Sequence, residues 1–152
     1  MKILVLSDSH GEFNNMVELV KRENPDKIIF SGDCSKDCIE LSYIYEKIEF
    51  VIVKGNMDRS DYSTPDNEIF NMFGYKTLVT HGHIYGVKSN LNSLHSMAKE
   101  SQCRVVIFGH THKRYSNEIN DIMFFNPGAF IDGSYGVIFE KDKRINFIHK
   151  IY

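Results

Sequence analysis

The stretch that decides the fold is Lys2-Ile3-Leu4-Val5-Leu6-Ser7-Asp8-Ser9-His10-Gly11. Its apolar, partly β-branched first half predicts a buried strand. A carboxylate and an imidazole, Asp8 and His10, follow the strand two positions apart, and a glycine comes next. Open α/β sheets bind their ligands beyond the carboxyl ends of the strands. The stretch therefore predicts a functional site at such an edge.

The same arrangement recurs four more times along the chain. Further apolar runs lead into Gly32-Asp33, Gly55-Asn56, His81-Gly82-His83 and Gly109-His110-Thr111-His112. Five of the seven histidines fall in these strand-end segments, so the histidines are clustered rather than scattered. We therefore expect five loops to meet around two divalent metal ions.

Composition sets the outer bounds of the interpretation. A length of 152 residues predicts one domain, residues 1–152, with a substantial core. A formal net charge of −2 leaves no basic footprint, so we expect no long nucleic acid as a partner. The first strand begins at Lys2 and no apolar run approaches the ~20 residues of a membrane span, so we expect no signal peptide, no membrane partner and a cytoplasmic location. Cys34, Cys38 and Cys103 are too few for a disulfide framework and are interpreted as reduced thiols.

Strand-like and helix-like patterns alternate in the first half of the chain. Apolar spacing predicts a helix over 12–23, and a second helix whose apolar face carries Cys38, Leu41, Tyr45 and Ile48. With strands at 2–6, 27–30 and 50–53, the order β-α-β-α-β implies parallel strands.

The second half is predicted to be richer in strands. A hairpin is expected at 68–72 and 76–80, then a helix over 87–101, a strand at 104–108, and strands at 115–119, 122–125, 135–140 and 145–150. Two sheets packed face to face with helices outside would accommodate these elements. His95 and His149 lie outside the strand-end segments and are expected on helix and strand surfaces.

The candidate ligands are all oxygen or imidazole donors. They are Asp8, His10, Asp33, Asn56, His81, His110 and His112. This donor set suits Mn²⁺ first, with Ni²⁺, Fe, Co²⁺ or Zn²⁺ as alternatives, better than an all-oxygen Mg²⁺ or Ca²⁺ site. Seven ligands exceed the number that one catalytic ion takes from protein, so we expect two ions that share Asp33. Such a pair predicts phosphoester hydrolysis by a hydroxide bound at a dinuclear metal centre.

Taken together, these segments resemble the calcineurin-like metallophosphoesterases. The short chain and Asn126-Pro127-Gly128-Ala129 are most similar to the small bacterial and archaeal phosphodiesterase branch, relatives of Vps29. The resemblance spans nearly the whole chain and implies a metallophosphoesterase fold, a four-layer α/β/β/α sandwich of two mixed sheets. It also implies that Asp8, His10, Asp33 and His112 hold one metal, and that Asp33, Asn56, His81 and His110 hold the other.

The chain departs from this family pattern at two places. Met57 stands directly after Asn56, where many members have a histidine that acts near the leaving group. The segment after Gly128 lacks the Pro-Arg pair that is frequent in the branch. The remaining catalytic candidates beside Asn56 are Asp58, to orient a ligand or donate a proton, and His83, to contact the phosphate or support a ligand. For Asp58 we favour structural support.

The leading functional hypothesis is a metal-dependent phosphodiesterase with a small phosphodiester substrate. The alternatives are a phosphomonoesterase, a nuclease, or a non-catalytic interaction scaffold of the Vps29 kind. Loss of metal-ligand imidazoles would be the sequence sign of such a scaffold. All imidazoles of the family's ligand pattern are present in this chain, which counts against the scaffold. The oligomeric state, a homo-oligomer included, is left open.

Overall fold

The computed structural model describes residues 1–152 and contains three α-helices and ten strands. The helices are α1 (Phe13–Glu23), α2 (Ser35–Ile44) and α3 (Asn92–Glu100). The strands are β1 (Lys2–Leu6), β2 (Lys27–Ser31), β3 (Glu49–Val53), β4 (Asn67–Met72), β5 (Tyr75–Thr80), β6 (Val105–Ile107), β7 (Tyr115–Ile119), β8 (Ile122–Asn126), β9 (Ser134–Lys141) and β10 (Arg144–Ile151). Short 3₁₀ turns occupy His83–Tyr85 and Phe130–Asp132. The longest helix has 11 residues, and none has the length and apolar character needed to cross a bilayer.

The strands form two five-stranded mixed sheets. The first has the order β10-β9-β1-β2-β3, in which β1, β2 and β3 are parallel and β9 and β10 are antiparallel to their neighbours. The second has the order β4-β5-β6-β8-β7, with β5, β6 and β8 parallel and an antiparallel strand at each edge. In each sheet, the carboxyl ends of the parallel strands therefore lie at one edge.

Three apolar clusters separate four layers. The first packs α1 and α2 against one sheet, through residues such as Met16, Leu41 and Phe30. The second lies between the two sheets, where Val5 and Ile107 are fully buried. The third packs α3 against the outer face of the second sheet. The predicted α/β/β/α sandwich of two mixed sheets is confirmed, since central strands such as β1, β2 and β6 alternate their side chains between two of these clusters.

Two helices are shorter than the sequence pattern predicts. The second helix ends at Ile44, because Tyr45 leaves the helical conformation with φ −115° and ψ 57°. Tyr45 and Ile48 still pack against the same core, so apolar spacing alone did not reveal the end of the helix. The third helix begins at Asn92, where the side chain of Asn90 accepts the backbone N–H of Asn92 at 2.9 Å and competes with a helical turn.

The two histidines expected on surfaces are half-buried. His149 stacks on Phe125 with ring centroids 4.7 Å apart, and its Nε2 lies 2.8 Å from the carbonyl oxygen of Asn126. His95 stacks on Phe124. The surface prediction is therefore correct only in part, because polar and apolar spacing does not show which neighbouring element covers a side chain.

Candidate metal centre

All seven predicted ligands lie at the carboxyl edges of the two sheets. Three strands of the first sheet lead into Asp8, Asp33 and Asn56, and two strands of the second lead into His81 and the His110–His112 segment. Backbone hydrogen bonds join these loops: the N–H of Asp8 donates to Gly32 at 2.9 Å, and the N–H of Gly109 donates to His81 at 3.1 Å. The loops are therefore held to one another by backbone as well as by side chains.

His81 lies at the centre of one group of donor atoms. Its Nδ1 lies 2.7 Å from the carbonyl oxygen of Ser31, which favours a proton on Nδ1 and a free lone pair on Nε2. That Nε2 atom is 3.2 Å from Asn56 Oδ1 and 3.2 Å from His110 Nδ1. It is also 3.4 Å from Asp33 Oδ2 and 3.9 Å from Asp8 Oδ1. Ligand atoms from four different loops thus converge on this imidazole.

His10 and His112 form a second group with Asp8. The ligand atoms of these three residues lie within 4.8 Å of one another. The shortest recorded distance in this group is 3.1 Å, from His112 Nε2 to Asp8 Oδ1. Asp33 Oδ2 lies between the two groups, 4.0 Å from His10 Nε2 and 3.4 Å from His81 Nε2. The two groups of ligand atoms are therefore adjacent candidates for holding cations, with carboxylates between them.

One buried atom tests whether these residues fit a cation. Asp8 is fully buried, and its Oδ1 has no hydrogen-bond partner, although His112 Nε2 is 3.1 Å away outside hydrogen-bonding geometry. A buried carboxylate oxygen without a partner is costly, by several kcal/mol for an unpaired charge. A divalent cation satisfies such an oxygen, so the donor set fits the metal ions that the sequence predicts.

The electrostatics favour the protonation states that metal ligands need at Asp33 and at His110. Burial alone would raise the pKa of Asp33, but the hydrogen bond and charge of His81 and the N–H of Met57 lower that pKa to about 2. Burial, together with the charges of His81 and Lys88, lowers the pKa of His110 to about 4. Asp33 is therefore ionised and His110 neutral at pH 7, as ligation requires. His81 differs: burial disfavours its charge, yet Asp33 and Asp8 outweigh burial and raise the His81 pKa. A cation at this site would therefore have to displace a proton from His81.

The local backbone is adapted to this convergence. Asp8, His10, Asp33, His110 and His112 all have positive φ, between 44° and 64°. Non-glycine residues rarely adopt this conformation, and its cost is typical of functional sites. Gly55 allows close approach, because a Cβ there would overlap Asp33 Oδ1. Gly32 does the same for His81, whose Nδ1 would lie 2.7 Å from such a Cβ.

The two further catalytic candidates occupy different positions. The carboxylate of Asp58 accepts three backbone N–H groups, from Asp33 at 3.1 Å, Ser35 at 2.9 Å and Gly55 at 2.7 Å. The ring centroid of His83 lies 5.5 Å from that of His81 and 6.1 Å from that of His110. Its Nδ1 is buried without a hydrogen-bond partner, and burial followed by the charge of His81 lowers its pKa. Asp58 thus faces backbone, whereas His83 stands beside the histidine cluster.

Two supporting residues were not identified from the sequence. Asp37, in the first turn of α2, accepts Ser9 Oγ at 2.7 Å and the N–H of Gly11 at 3.0 Å. Asn126 donates from Nδ2 to the carbonyl of Gly109 at 2.8 Å and to Thr111 Oγ1 at 3.1 Å. Asp37 has no sequence signal beyond its place near a helix start. Asn126 stands at the end of an apolar strand, as the ligand candidates do, and this position could have identified it.

The family follows from comparison with known proteins. The model of the calcineurin-like phosphoesterase superfamily domain matches residues 1–138. The chain therefore belongs to the calcineurin-like phosphoesterases, and the resemblance drawn from the strand-end segments is confirmed. It is a phosphoesterase of a metal-dependent family, with a candidate site for two ions.

Individual relatives agree with this assignment. The chain is 33% identical over 133 residues to the probable metallophosphoesterase YsnB of Bacillus subtilis, covering 85% of this chain and 75% of the relative. It is 28% identical over 144 residues to a phosphodiesterase of Methanocaldococcus jannaschii, covering 84% and 83%. The structure of Vps29 from Entamoeba histolytica superposes with a TM-score of 0.75 over 99% of each chain at 17% identity, which is a likeness of fold.

Proposed function

We propose that this chain is a phosphodiesterase that hydrolyses a small phosphodiester by direct attack of water at a dinuclear metal centre. The observation that carries the proposal is the convergence of donor atoms from five loops around His81 Nε2 and the unpartnered Asp8 Oδ1. Water activated by the bound cations would be the nucleophile, so no covalent enzyme intermediate is required.

The residues divide between two ions. Asp8, His10, Asp33 and His112 would hold one, and Asp33, Asn56, His81 and His110 would hold the other, with Asp33 shared. The groups Asp8-His10-His112 and Asp8-Asp33-His81 support two adjacent ions, although they overlap at Asp8. The shared role of Asp33 is supported by its Oδ2, which lies 4.0 Å from His10 Nε2 and 3.4 Å from His81 Nε2. The mixture of imidazole and carboxylate donors favours Mn²⁺, with Ni²⁺, Fe, Co²⁺ and Zn²⁺ as alternatives.

The ions and the protein would have separate tasks. Two divalent cations, when bound, would acidify a water molecule for attack on phosphorus and offset the charge on the phosphoryl oxygens. Asn56 and His83 border the cluster, and we assign to His83 the contact with a phosphoryl oxygen. Met57 is 61% exposed and has no titratable group, so it donates no proton to the leaving group. The substrate should therefore have a leaving group that departs without a strong protein acid.

The diester preference is supported by the phosphodiesterase named among the relatives. A phosphomonoesterase would use the same donor set, and comparison of two chromogenic substrates distinguishes the two activities. The non-catalytic alternative is an interaction scaffold of the Vps29 kind. The unbroken ligand set favours the enzyme, because a scaffold has no need of a strained and buried donor cluster.

The test is hydrolysis of bis(p-nitrophenyl) phosphate and p-nitrophenyl phosphate by protein loaded with Mn²⁺, Ni²⁺ or Co²⁺, with metal content measured in each sample. We expect metal-dependent turnover that is faster on the diester. The variant His110→Ala should lose turnover by at least about 100-fold, as expected for loss of a ligand group. The control His95→Asn changes a histidine outside the cluster, and this variant should retain the turnover of the wild type. A metal-loaded protein that is inactive on both substrates contradicts the proposal.

A further inference from the structure

A cavity of about 520 Å³ opens beside the metal-ligand segment His110–His112. Its floor consists of Val87, Leu91, Phe108 and Tyr115, which belong to the segment before α3 and to the second sheet. Val87 and Phe108 are buried, and the Tyr115 ring meets Phe108 edge-on with centroids 6.1 Å apart. The volume falls within the range typical of small-molecule sites. The floor is therefore a preformed apolar surface for a compact organic group.

The rim of the cavity is positively charged. Lys88, Lys113 and Arg114 line it, and no Asp or Glu does. None of the three forms an ion pair with a carboxylate. Arg114 is held by the protein, since its Nε donates to Ser134 Oγ at 2.7 Å and its Nη2 to the carbonyl of Lys150 at 3.4 Å. Lys88 and Lys113 are exposed and have their ammonium groups available.

The cavity and the metal centre share one segment of chain. Thr111 lines the cavity and lies between the candidate ligands His110 and His112. A phosphoester held at the metal centre therefore has its organic group within reach of the cavity.

We propose that this cavity binds the organic group of the substrate, and that this group is an apolar or aromatic ring with a negative charge of its own. The proposal rests on the proposed phosphoesterase function and adds the substrate class. The apolar floor would bury the ring, and Lys88 and Lys113 would pair with the additional anion. The positive rim would repel a cationic ring and would add nothing to the binding of a neutral one, so charge complementarity favours an anionic group.

The first experiment measures binding without catalysis, in metal-free protein. The probes are 8-anilinonaphthalene-1-sulfonate, an aromatic anion, and N-phenyl-1-naphthylamine, its uncharged counterpart. We expect the anion to bind about 3- to 10-fold more tightly, the range for one or two solvent-exposed charge pairs. NMR shifts on binding should centre on Val87, Leu91 and Tyr115. The double variant Lys88→Gln/Lys113→Gln should remove the preference.

The matched control for this variant is Lys47→Gln/Lys141→Gln. Both lysines are exposed and lie before β3 and at the end of β9, at the sheet edge away from the metal centre. This control changes the net charge equally and should leave the preference intact. Equal binding of the two probes, or an equal loss in both double variants, overturns the proposal.

The second experiment connects the cavity with the reaction. Methyl 4-nitrophenyl phosphate is compared with methyl 3-carboxy-4-nitrophenyl phosphate, which differs by one carboxylate on the ring, using Mn²⁺-loaded protein. We expect a KM about 3- to 10-fold lower for the carboxylated ester. This difference in KM should disappear in Lys88→Gln/Lys113→Gln, with kcat little changed.

The aromatic sulfonate should inhibit competitively. Non-competitive inhibition contradicts a substrate role for the cavity. Failure to hydrolyse either ester, with selective probe binding retained, contradicts the proposed function and leaves the anion site supported.

Discussion

At the residue scale, the carboxylate of Asp58 connects two segments that carry metal-ligand candidates. It accepts N–H groups from Asp33 in one loop and from Gly55 in another, and a third from Ser35 at the start of α2. A carboxylate that accepts three backbone N–H groups has little capacity left for a substrate. The geometry therefore favours Asp58 as a residue that positions Asp33 and Asn56, in agreement with the role that we favoured from the sequence.

Replacement of this carboxylate tests the assignment. In Asp58→Asn, one accepting oxygen is exchanged for an N–H₂ group that faces backbone donors. We expect the affinity for Mn²⁺ to fall by about 10- to 100-fold, while kcat at saturating metal stays within a few-fold. The control Asp66→Asn changes a half-exposed carboxylate later in the same loop and should have little effect on either quantity. A large loss of kcat with metal content unchanged would instead make Asp58 a participant in the reaction.

At the element scale, Glu23 fastens the end of α1 to the first sheet. Its carboxylate accepts the hydroxyl of Tyr135 at 2.7 Å and the ammonium of Lys150 at 3.0 Å, and Lys2 approaches at 3.3 Å. The three partners lie on β9, β10 and β1. Burial alone would raise the pKa of Glu23, but these hydrogen bonds and charges outweigh burial and lower it. One buried carboxylate thus joins a helix to three adjacent strands.

The lowered pKa has a consequence for stability. Because the folded state holds Glu23 ionised, its stabilisation is present above the unfolded pKa of about 4.3 and is lost as the pH falls through the folded pKa. We expect Glu23→Gln to reduce the free energy of unfolding by about 1–3 kcal/mol at pH 7. The difference from the wild type should shrink below pH 4. Urea denaturation at a series of pH values measures both.

A neighbouring glutamate provides the control. Glu18 is on the exposed side of α1 and pairs only with Lys21, three residues away on the same helix. Glu18→Gln should change the free energy of unfolding by less than about 0.5 kcal/mol at any of these pH values. If Glu23→Gln lowered stability equally at pH 7 and at pH 3, loss of packing rather than of charge would be the cause.

At the scale of the whole molecule, the metal centre spans the two sheets. Asp8, Asp33 and Asn56 follow strands of one sheet, and His81 and the His110–His112 segment follow strands of the other. The N–H of His110 approaches Asp8 Oδ2 at 3.3 Å across this junction, and an apolar core lies between the sheets beneath it. Ions bound to both sets of loops would therefore resist separation of the sheets.

Metal addition and removal should consequently change global stability. We expect residues 1–152 to unfold in one cooperative transition, since the core between the sheets is shared. Mn²⁺ at about 100 times its Kd should add about 2.7 kcal/mol to the free energy of unfolding, and a chelator should remove that increment. Calorimetry measures both. His110→Ala should weaken the increment, whereas His95→Asn should preserve it. Two separated transitions, or no response to metal, would contradict the expectation.

The four-layer class was implied by the resemblance to a known family, whereas the sequence by itself determined the order of the elements and the set of ligand candidates. These follow from local patterns: apolar periods of 2 and 3.6 residues indicate strands and helices, and polar side chains directly after strands indicate the edge of a sheet. The helix ends at Ile44 and Asn92 were missed, because apolar spacing continues into loop residues that pack against the same core.

Only the tertiary structure decided how the ligand candidates meet. His110 approaches His81 from 29 positions away, and two of the three N–H groups around Asp58 come from residues 23 and 25 positions away. The left-handed backbone of Asp8 and Asp33 depends on backbone angles that no local pattern encodes. The same is true of the cavity, which is lined by the segment before α3 and by the chain from the end of β6 to the start of β7. Periodicity identifies which face of an element is buried, but the contacts across the sheets depend on how both layers pack together.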